Sequence, residues 1–201
     1  MNSTFFPIFA GNFLRMETET HPFRPFLPAS ARILFLGSFP PQPKRWCIPF
    51  YYPNWINDFW RIIGLIHFSD REHFCLRGEK RFDEAGIRAF CTEAGLAFYD
   101  TACEVRRLKD NASDAFLEVV TPSDIPALLG QIPGCGNLVT TGQKASEVIV
   151  GTFGCAMPPV GGYVDVVIGT RPVRFWRMPS TSRAYPLPLE KKAEAYRKLF
   201  L

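Results

Sequence analysis

The chain has 201 residues, of which 47% are hydrophobic and 21% are charged. This composition suits one globular domain with a sizeable core and excludes a largely disordered chain. Lys and Arg total 23 against 19 Asp and Glu, so the small basic excess permits a polyanionic partner without requiring one.

The six cysteines stand singly, at Cys47, Cys75, Cys91, Cys103, Cys135 and Cys155. No Cys-x-x-Cys pair is present and no histidine lies at metal-ligand spacing, so we predict reduced, mostly buried thiols and no metal site. The apolar start at residues 5–10 is short and lacks a basic flank, which disfavours a signal peptide or a membrane span. We therefore expect a cytoplasmic protein.

Residues 1–20 are predicted to be a loosely ordered N-terminal extension ahead of a single domain over residues 21–201. The proline-rich stretch 21–30 predicts an extended arm that lies on that domain. An apolar run then predicts a strand from Arg32 to Leu36. Apolar residues at helical spacing predict a helix from Asn57 to Ile66, capped by Asn57 or a close neighbour.

The remaining elements alternate between strand and helix. They are a helix from Asp83 to Ala94 that ends before Gly95, a strand from Leu96 to Tyr99, a helix capped by Ser123 that runs to Leu129, a strand from Asn137 to Thr140, a helix from Gln143 to Val150, a hairpin-like pair over Tyr163 to Ile168 and Val173 to Trp176, and a terminal helix from Leu189. This alternation predicts an α/β fold, a three-layer α/β/α sandwich around a mostly parallel central sheet.

Two of the predicted strands stop in turns rich in Gly, Pro and Ser. Gly37-Ser38-Phe39-Pro40-Pro41 follows the first strand, and Met178-Pro179-Ser180-Thr181-Ser182 follows the strand that contains Trp176. Ligand sites of α/β sheets lie at the carboxyl ends of strands. We therefore expect the two segments to face one crevice.

A segment dense in aromatic and amide residues, Tyr51 to Trp60, leads into the first predicted helix. At helical spacing Phe59 and Trp60 are expected in the core. Tyr52 and Asn57 differ, because a ring followed by a carboxamide offers a stacking face and a hydrogen-bonding edge. That pair suits a planar heterocycle such as a flipped nucleobase.

The ordered set of the GSFPP, YYPNWINDFW and MPSTS segments resembles the uracil-DNA glycosylase superfamily, closest to its hypoxanthine-DNA (deoxyinosine) glycosylase branch. The resemblance covers most of the chain, from His21 to Ser182. It implies a small α/β/α sandwich with a four-stranded parallel sheet. It also implies a monofunctional enzyme that flips a deaminated base, hypoxanthine or uracil, out of DNA and hydrolyses the N-glycosidic bond in base excision repair. DNA is the implied partner, no cofactor is implied, and a monomer is expected.

The resemblance implies roles for residues of the first two segments. Asn57 matches the asparagine thought to act in catalysis, and Tyr52 matches a ring that stacks on the extruded base. The base is also expected to contact Gly37, Ser38 and Phe39. Pro40 is expected to approach the DNA.

The third segment is the implied DNA-binding loop. Its expected contacts are Ser180, Thr181, Ser182 and Arg183, with Arg183 long enough to fill the gap left by the base. Two positions depart from the superfamily pattern, because Phe39 replaces an Asp or Asn and Met178 replaces a His or Asn. The chemistry is therefore assigned to Asn57 and backbone N–H donors.

Other polar residues fit no catalytic arrangement. The three histidines, His21, His67 and His73, form no triad and are expected on the arm or the surface. Asp100 ends a strand, and we favour a structural role over a place in the pocket.

Two further segments carry weaker signals. The basic cluster Arg106, Arg107 and Lys109 is expected to be a solvated loop, with a phosphate contact as the alternative. The segment Thr140-Thr141-Gly142-Gln143-Lys144 lacks the Walker spacing and is expected to be a strand-to-helix turn that can still face DNA.

Two other functions stay open. The apolar residues Phe39 and Met178 are compatible with a weakly active or non-catalytic DNA-binding relative. A hydrolase of free nucleosides or nucleotides could use a similar crevice, but a residue such as Arg183 that fills a duplex gap would have no task there.

Overall fold

The structure is a computed structural model and describes residues 17–108 and 116–201. Residues 1–16 of the predicted N-terminal extension and Lys109 of the predicted basic cluster lie outside the described residues. Within these two ranges, no helix is long and apolar enough to cross a membrane.

Strands and α-helices are interspersed along the described chain. The strands are β1 (Thr18–Thr20), β2 (Ile33–Gly37), β3 (Leu96–Asp100), β4 (Ala102–Arg107), β5 (Leu117–Pro122), β6 (Asn137–Thr140), β7 (Gly162–Ile168) and β8 (Arg171–Arg177). The helices are α1 (Phe59–Phe68), α2 (Glu84–Glu93), α3 (Ile125–Gln131), α4 (Gln143–Phe153) and α5 (Leu189–Arg197). The predicted α/β class is confirmed, and each helix and strand predicted from the sequence is present with slightly shifted ends.

The central sheet has the strand order β3–β2–β6–β8–β7. Its first four strands are parallel, and β7 pairs antiparallel with β8 at the edge. The expected four-stranded sheet is therefore wrong in one respect, because a hairpin turn at Gly169 adds a fifth strand. Gly169 has a φ of +62°, which suits a tight turn, and exposed side chains alternate along β7 as they do on an edge strand.

A second sheet, antiparallel with the order β1–β4–β5, has no counterpart in the sequence prediction. Arg106 and Arg107 belong to its middle strand, so the solvated loop expected for these two residues is wrong. Arg106 Nη1 lies 3.6 Å from Glu118 Oε2 across the β4–β5 pair. One side of this sheet forms a small core whose buried members are Phe39, Ala102, Val105 and Leu117.

Short polar side chains set where the helices begin. Asn57 Oδ1 accepts the backbone N–H of Phe59, the first residue of α1, at 2.9 Å, and the Asp124 side chain caps α3. The prediction of Ser123 as the cap of α3 is therefore wrong by one residue. The Ser123 hydroxyl instead donates to the carbonyl oxygen of Asp100 at 2.7 Å, which ties the start of α3 to the end of β3.

Aromatic rings of β2, β3 and α1 fill the core between sheet and helix. Phe35 stacks on Phe98 with ring centroids 5.5 Å apart and meets Phe59 edge-on at 5.2 Å. Phe59 and Trp60 are fully buried, as predicted. The arm lies along β3, because Phe26 exchanges both backbone hydrogen bonds with Phe98, at 3.0 and 2.8 Å. This packing fixes the start of α1 beside the carboxyl ends of the parallel strands.

Candidate active site

A cavity of about 700 Å³ lies where the carboxyl ends of the parallel strands meet the start of α1. Its volume is in the range of ligand-binding pockets. Every residue predicted to contact a base or DNA lines it: Gly37, Ser38, Phe39, Pro40, Tyr52, Asn57, Ser180, Thr181, Ser182 and Arg183. The two strand-end segments expected to share a crevice therefore do so.

A buried His–Asp pair lies at one side of this cavity. His21 Nε2 is 2.9 Å from Asp100 Oδ2, and the side chains are only 2% and 10% exposed. His21 Nδ1 lies against the backbone of Phe23, 2.9 Å from its carbonyl oxygen and 3.1 Å from its nitrogen. Because a carboxylate oxygen accepts, Nε2 is the donor in its contact with Asp100.

The role of Asp100 is where the sequence prediction is wrong. Asp100 lines the cavity, so the expectation that it lies outside the pocket is wrong. Its partner His21 is on the arm, as expected, but the imidazole is buried, whereas His67 and His73 are exposed as predicted. His21 lies 79 residues from Asp100 in the chain, so only the position of Asp100 at a strand end could have indicated the pair.

Gly37 makes room for the Asp100 carboxylate. A Cβ atom on Gly37 would collide with Asp100 Oδ1, and the two residues are register partners in the parallel β2–β3 pair. The glycine of the first segment is therefore required for a close approach of the carboxylate to the backbone, not for a special φ angle.

Phe39 faces the small antiparallel sheet as well as the cavity. The residue is 8% exposed, and its ring packs edge-on against His21 with centroids 5.3 Å apart. The Arg107 guanidinium lies 5.6 Å from the same ring, pairs with Glu19 and donates to the carbonyl oxygen of Pro40 at 2.6 Å. Arg107 therefore holds the loop that follows β2.

Tyr52 is fixed on one face and at its hydroxyl. Its ring lies parallel to that of Phe59, with centroids 3.8 Å apart and planes 5° apart. Its hydroxyl is 2.9 Å from Thr141 Oγ1, at the end of β6. Burial raises the pKa of Tyr52 above its usual range, so the phenol stays protonated. The φ of +52° at Tyr52 is unusual for a bulky residue and marks a locally strained turn.

Asn57 is held by three hydrogen bonds, of which two involve its backbone. Its N–H donates to the carbonyl oxygen of Asn54 at 2.8 Å, and its own carbonyl oxygen accepts from Arg61 Nη1 at 3.2 Å. Its Oδ1 accepts the N–H of Phe59. With the amide oxygen engaged, the group that Asn57 offers to the cavity is the Nδ2 donor.

The segment after β8 is fixed from three sides. The Met178 side chain is 1% exposed and belongs to the core. The carbonyl oxygen of Pro179 accepts from the Tyr196 hydroxyl at 2.9 Å, and that of Thr181 accepts from the Asp58 N–H at 2.9 Å. The Ser180–Ser182 loop is therefore anchored to both α5 and the start of α1.

An ion-pair network reinforces this anchoring. Lys192 Nζ lies 2.9 Å from Asp58 Oδ2 and donates to the carbonyl oxygen of Ser182 at 2.8 Å. Arg183 Nε lies 3.1 Å from Asp58 Oδ1. Lys192 is almost fully buried, whereas nearly half of the Arg183 side chain is exposed at the cavity mouth.

The cysteines take no part in the cavity. All six are free thiols and none of them lines it. Burial raises the pKa of Cys75 to about 12, so this thiol is a poor nucleophile at neutral pH. Across the described residues, no group of His, Cys, Asp and Glu is arranged to hold a metal ion.

Comparison with known proteins supports the fold. No protein-family model matches the chain, and no curated protein matches it in sequence. The chain is similar to a solved structure, the solution NMR structure of a "putative Uracil DNA glycosylase from Methanosarcina acetivorans". The TM-score is 0.61 at 19% sequence identity, and the match covers 92% of this chain and 100% of that chain. The two proteins therefore share an α/β fold.

Proposed function

We propose that the protein is a monofunctional DNA glycosylase that removes a deaminated base, hypoxanthine or uracil, by base flipping and hydrolysis. The main support for this proposal is the cavity, which is lined by Tyr52, Asn57 and Asp100. The fold shared with the Methanosarcina protein supports the same class of activity.

The polar groups of the cavity suit the lactam edge that deamination creates. Deamination replaces an exocyclic amine with a carbonyl and turns the neighbouring ring nitrogen from an acceptor into an N–H donor. The Asn57 Nδ2 donor matches the new carbonyl, and the Asp100 carboxylate matches the new N–H. Adenine and cytosine present the opposite pattern, so the carboxylate would face a lone pair and reject them.

The stacking surface in this proposal is the Tyr52 ring. One face of the ring is occupied by Phe59, so the flipped base stacks on the other face. The hydrogen bond to Thr141 keeps the ring from turning. Base–aromatic stacking contributes about 1–3 kcal/mol per base, which offsets much of the few kcal/mol that unstacking and unpairing the nucleotide cost.

The reaction adds water across the N-glycosidic bond. The water oxygen bonds to C1′ of the sugar, the bond to the base breaks with its electron pair, and the proton released by the water restores the neutral base. Negative charge therefore develops on the leaving base, where Asn57 Nδ2 and backbone N–H groups of the segment from Gly37 to Phe39 donate. No nucleophilic side chain is needed for this step.

The DNA strand is proposed to lie along the cavity mouth. Ser180 and Ser182 offer hydroxyl groups to phosphates, and Pro40 also lines the cavity. Thr181, between the two serines, is only 2% exposed and supports the loop. The exposed part of Arg183 supplies a positive charge beside them.

A second function, DNA binding without catalysis, is favoured by one observation. Phe39 and Met178 stand at the two positions where the superfamily carries polar groups, and both side chains are buried among apolar neighbours. Neither can orient water, so all side-chain chemistry depends on Asn57 and Asp100.

The test is a strand-cleavage assay on labelled duplexes that carry hypoxanthine or uracil opposite each normal base, followed by alkali. We expect excision by the wild type and a loss of about a hundredfold or more in Asn57→Ala. Asn57→Asp is the matched variant, because it keeps an oxygen for the Phe59 N–H but lacks the amide donor. It should fold normally and be as inactive as Asn57→Ala.

Three results would contradict the proposal. Full activity of Asn57→Ala would remove Asn57 from catalysis. Binding of these duplexes without strand breaks would favour the non-catalytic function. Cleavage of free nucleosides alone would indicate a small-molecule hydrolase.

A further inference from the structure

Ile56 is an exposed aliphatic residue at the mouth of the cavity. Its side chain lines the cavity and the residue is 52% exposed. It directly precedes Asn57, the proposed catalytic residue. Single exposed hydrophobic residues are common on protein surfaces, so exposure alone does not indicate a function. The position of Ile56 and the rigid turn that supports it do indicate one.

The turn that presents Ile56 is held by hydrogen bonds at both ends. The N–H of Asn57 donates to the carbonyl oxygen of Asn54 at 2.8 Å, which closes a four-residue reverse turn. The N–H of Ile56 donates to Asn54 Oδ1 at 3.1 Å. The backbone at Ile56 is therefore fixed in place, although the side chain points to solvent.

The other central residue of the turn, Trp55, packs inward and supports it. The Arg61 guanidinium lies 4.3 Å from the centroid of the Trp55 ring and donates to the Trp55 carbonyl oxygen at 2.8 Å. The Trp55 ring also contacts that of Phe82, with centroids 5.0 Å apart. With Trp55 anchored, Ile56 is the exposed residue of the turn, and it lines the cavity.

The competing candidate for insertion into a duplex is Arg183. Its Nε is engaged by the Asp58 carboxylate, which also pairs with the buried Lys192. Insertion of Arg183 would break this pair and desolvate a charge, whereas insertion of Ile56 breaks no hydrogen bond and buries apolar surface.

We propose that Ile56 inserts into the DNA duplex and fills the space vacated by the flipped base. Aliphatic side chains that wedge between base steps are a known means of unstacking DNA. The inference rests on the proposed function and deepens it, because it assigns the wedge to the turn that carries Asn57 and leaves Arg183 as a phosphate contact. Ile56 is thus a positioning residue and does not touch the reacting atoms.

The test compares Ile56→Ala with Ile56→Leu, which keeps the aliphatic bulk, and with Val167→Ala, which shortens an exposed aliphatic side chain on β7. Single-turnover excision is measured on a duplex with hypoxanthine or uracil in a stable base pair, and on the same duplex with an abasic site opposite the target. A 2-aminopurine next to the target reports unstacking independently of chemistry.

We expect Ile56→Ala to lower excision of the paired target by about tenfold or more. The abasic-opposed target should be affected much less, because no pair has to be broken. The 2-aminopurine signal should fall in the same variant, and Ile56→Leu and Val167→Ala should resemble the wild type.

Equal losses of excision on both duplexes, or an unchanged 2-aminopurine signal in Ile56→Ala, would refute the insertion of Ile56 into the duplex. Failure of the proposed function gives a different result, namely no excision by the wild type on any duplex. In that case the comparison of 2-aminopurine fluorescence between wild type and Ile56→Ala would still show whether Ile56 inserts into the duplex.

Discussion

Lys192 Nζ and Asp58 Oδ2 lie 2.9 Å apart in an almost fully buried ion pair. The pair joins α5 to the residue that follows Asn57, and Lys192 also binds the carbonyl oxygen of Ser182. A single ammonium group therefore connects the proposed catalytic residue to the proposed phosphate-binding loop. Buried charges are costly when they lose a partner, so this pair makes the relative position of the two segments sensitive to one side chain.

Replacement of Lys192 tests this coupling. Lys192→Met keeps much of the aliphatic stem but removes the buried cation and leaves the half-exposed Arg183 beside Asp58. We therefore expect a loss of about 3 kcal/mol in the free energy of unfolding. The neighbouring Lys191 is exposed and pairs with the exposed Glu194, which makes Lys191→Met the matched control. Urea unfolding followed by fluorescence should separate the two variants, and equal stabilities would refute the structural role of the buried pair.

The close approach of Gly37 and Asp100 leads to a second prediction. In Gly37→Ala the new methyl group would displace the Asp100 carboxylate, so excision should fall while the fold persists. Gly151→Ala is the control, because a Cβ there meets nothing within 4 Å and the residue lies in α4. It should stabilise the protein by about 0.5–1 kcal/mol and leave excision unchanged. Wild-type activity in Gly37→Ala would show that the carboxylate position is unimportant.

His21 is predicted to hold the Asp100 carboxylate in place. His21→Phe preserves the ring contacts with Phe39 and Tyr99 but removes the donor, so Asp100 loses its buried partner and its discrimination against adenine and cytosine should weaken. His21→Gln retains a donor and should retain more activity. The measurement is the ratio of excision rates for hypoxanthine and adenine in otherwise identical duplexes. A ratio that is the same in His21→Phe and the wild type would argue against this role.

Local segments made much of the site predictable. Tyr52 and Asn57 are five residues apart, and the turn before α1 brings both to the cavity, although Thr141 from the end of β6 also fixes the Tyr52 hydroxyl. The strand-end segments at Gly37 and Ser180 follow from the general rule that parallel strands present their carboxyl ends at one edge. These features depend on short-range geometry and on fold class, which residue patterns encode directly.

Long-range contacts were not predictable in the same way. The His21–Asp100 pair depends on how the arm lies along β3, and the Asp58–Lys192 pair joins residues 134 positions apart. The small antiparallel sheet was also missed, because β1 has only three residues and β4 is interrupted by register shifts. A single sequence carries no pattern that specifies these pairings.

Two substitutions of Tyr52 separate the effect of base stacking from that of the hydrogen bond to Thr141. Tyr52→Phe keeps the ring against Phe59 and loses only the bond to Thr141, so stability should fall by about 1 kcal/mol and excision should be nearly retained. Tyr52→Ala removes the stacking face and should weaken substrate capture by about 1–3 kcal/mol. Binding of a duplex to both variants in the Asn57→Ala background measures this difference without turnover.

The pH dependence of stability in the wild type and in Tyr52→Phe tests whether the Tyr52 phenol is buried and protonated. Because burial raises the pKa of Tyr52 above its value of about 10 in an unfolded chain, the folded state keeps the proton while the unfolded state releases it. The phenol therefore contributes its stability below about pH 10 and loses it as the pH rises further. The free energy of unfolding should fall less steeply above pH 10 in Tyr52→Phe than in the wild type, and identical slopes would contradict a buried, protonated phenol at this site.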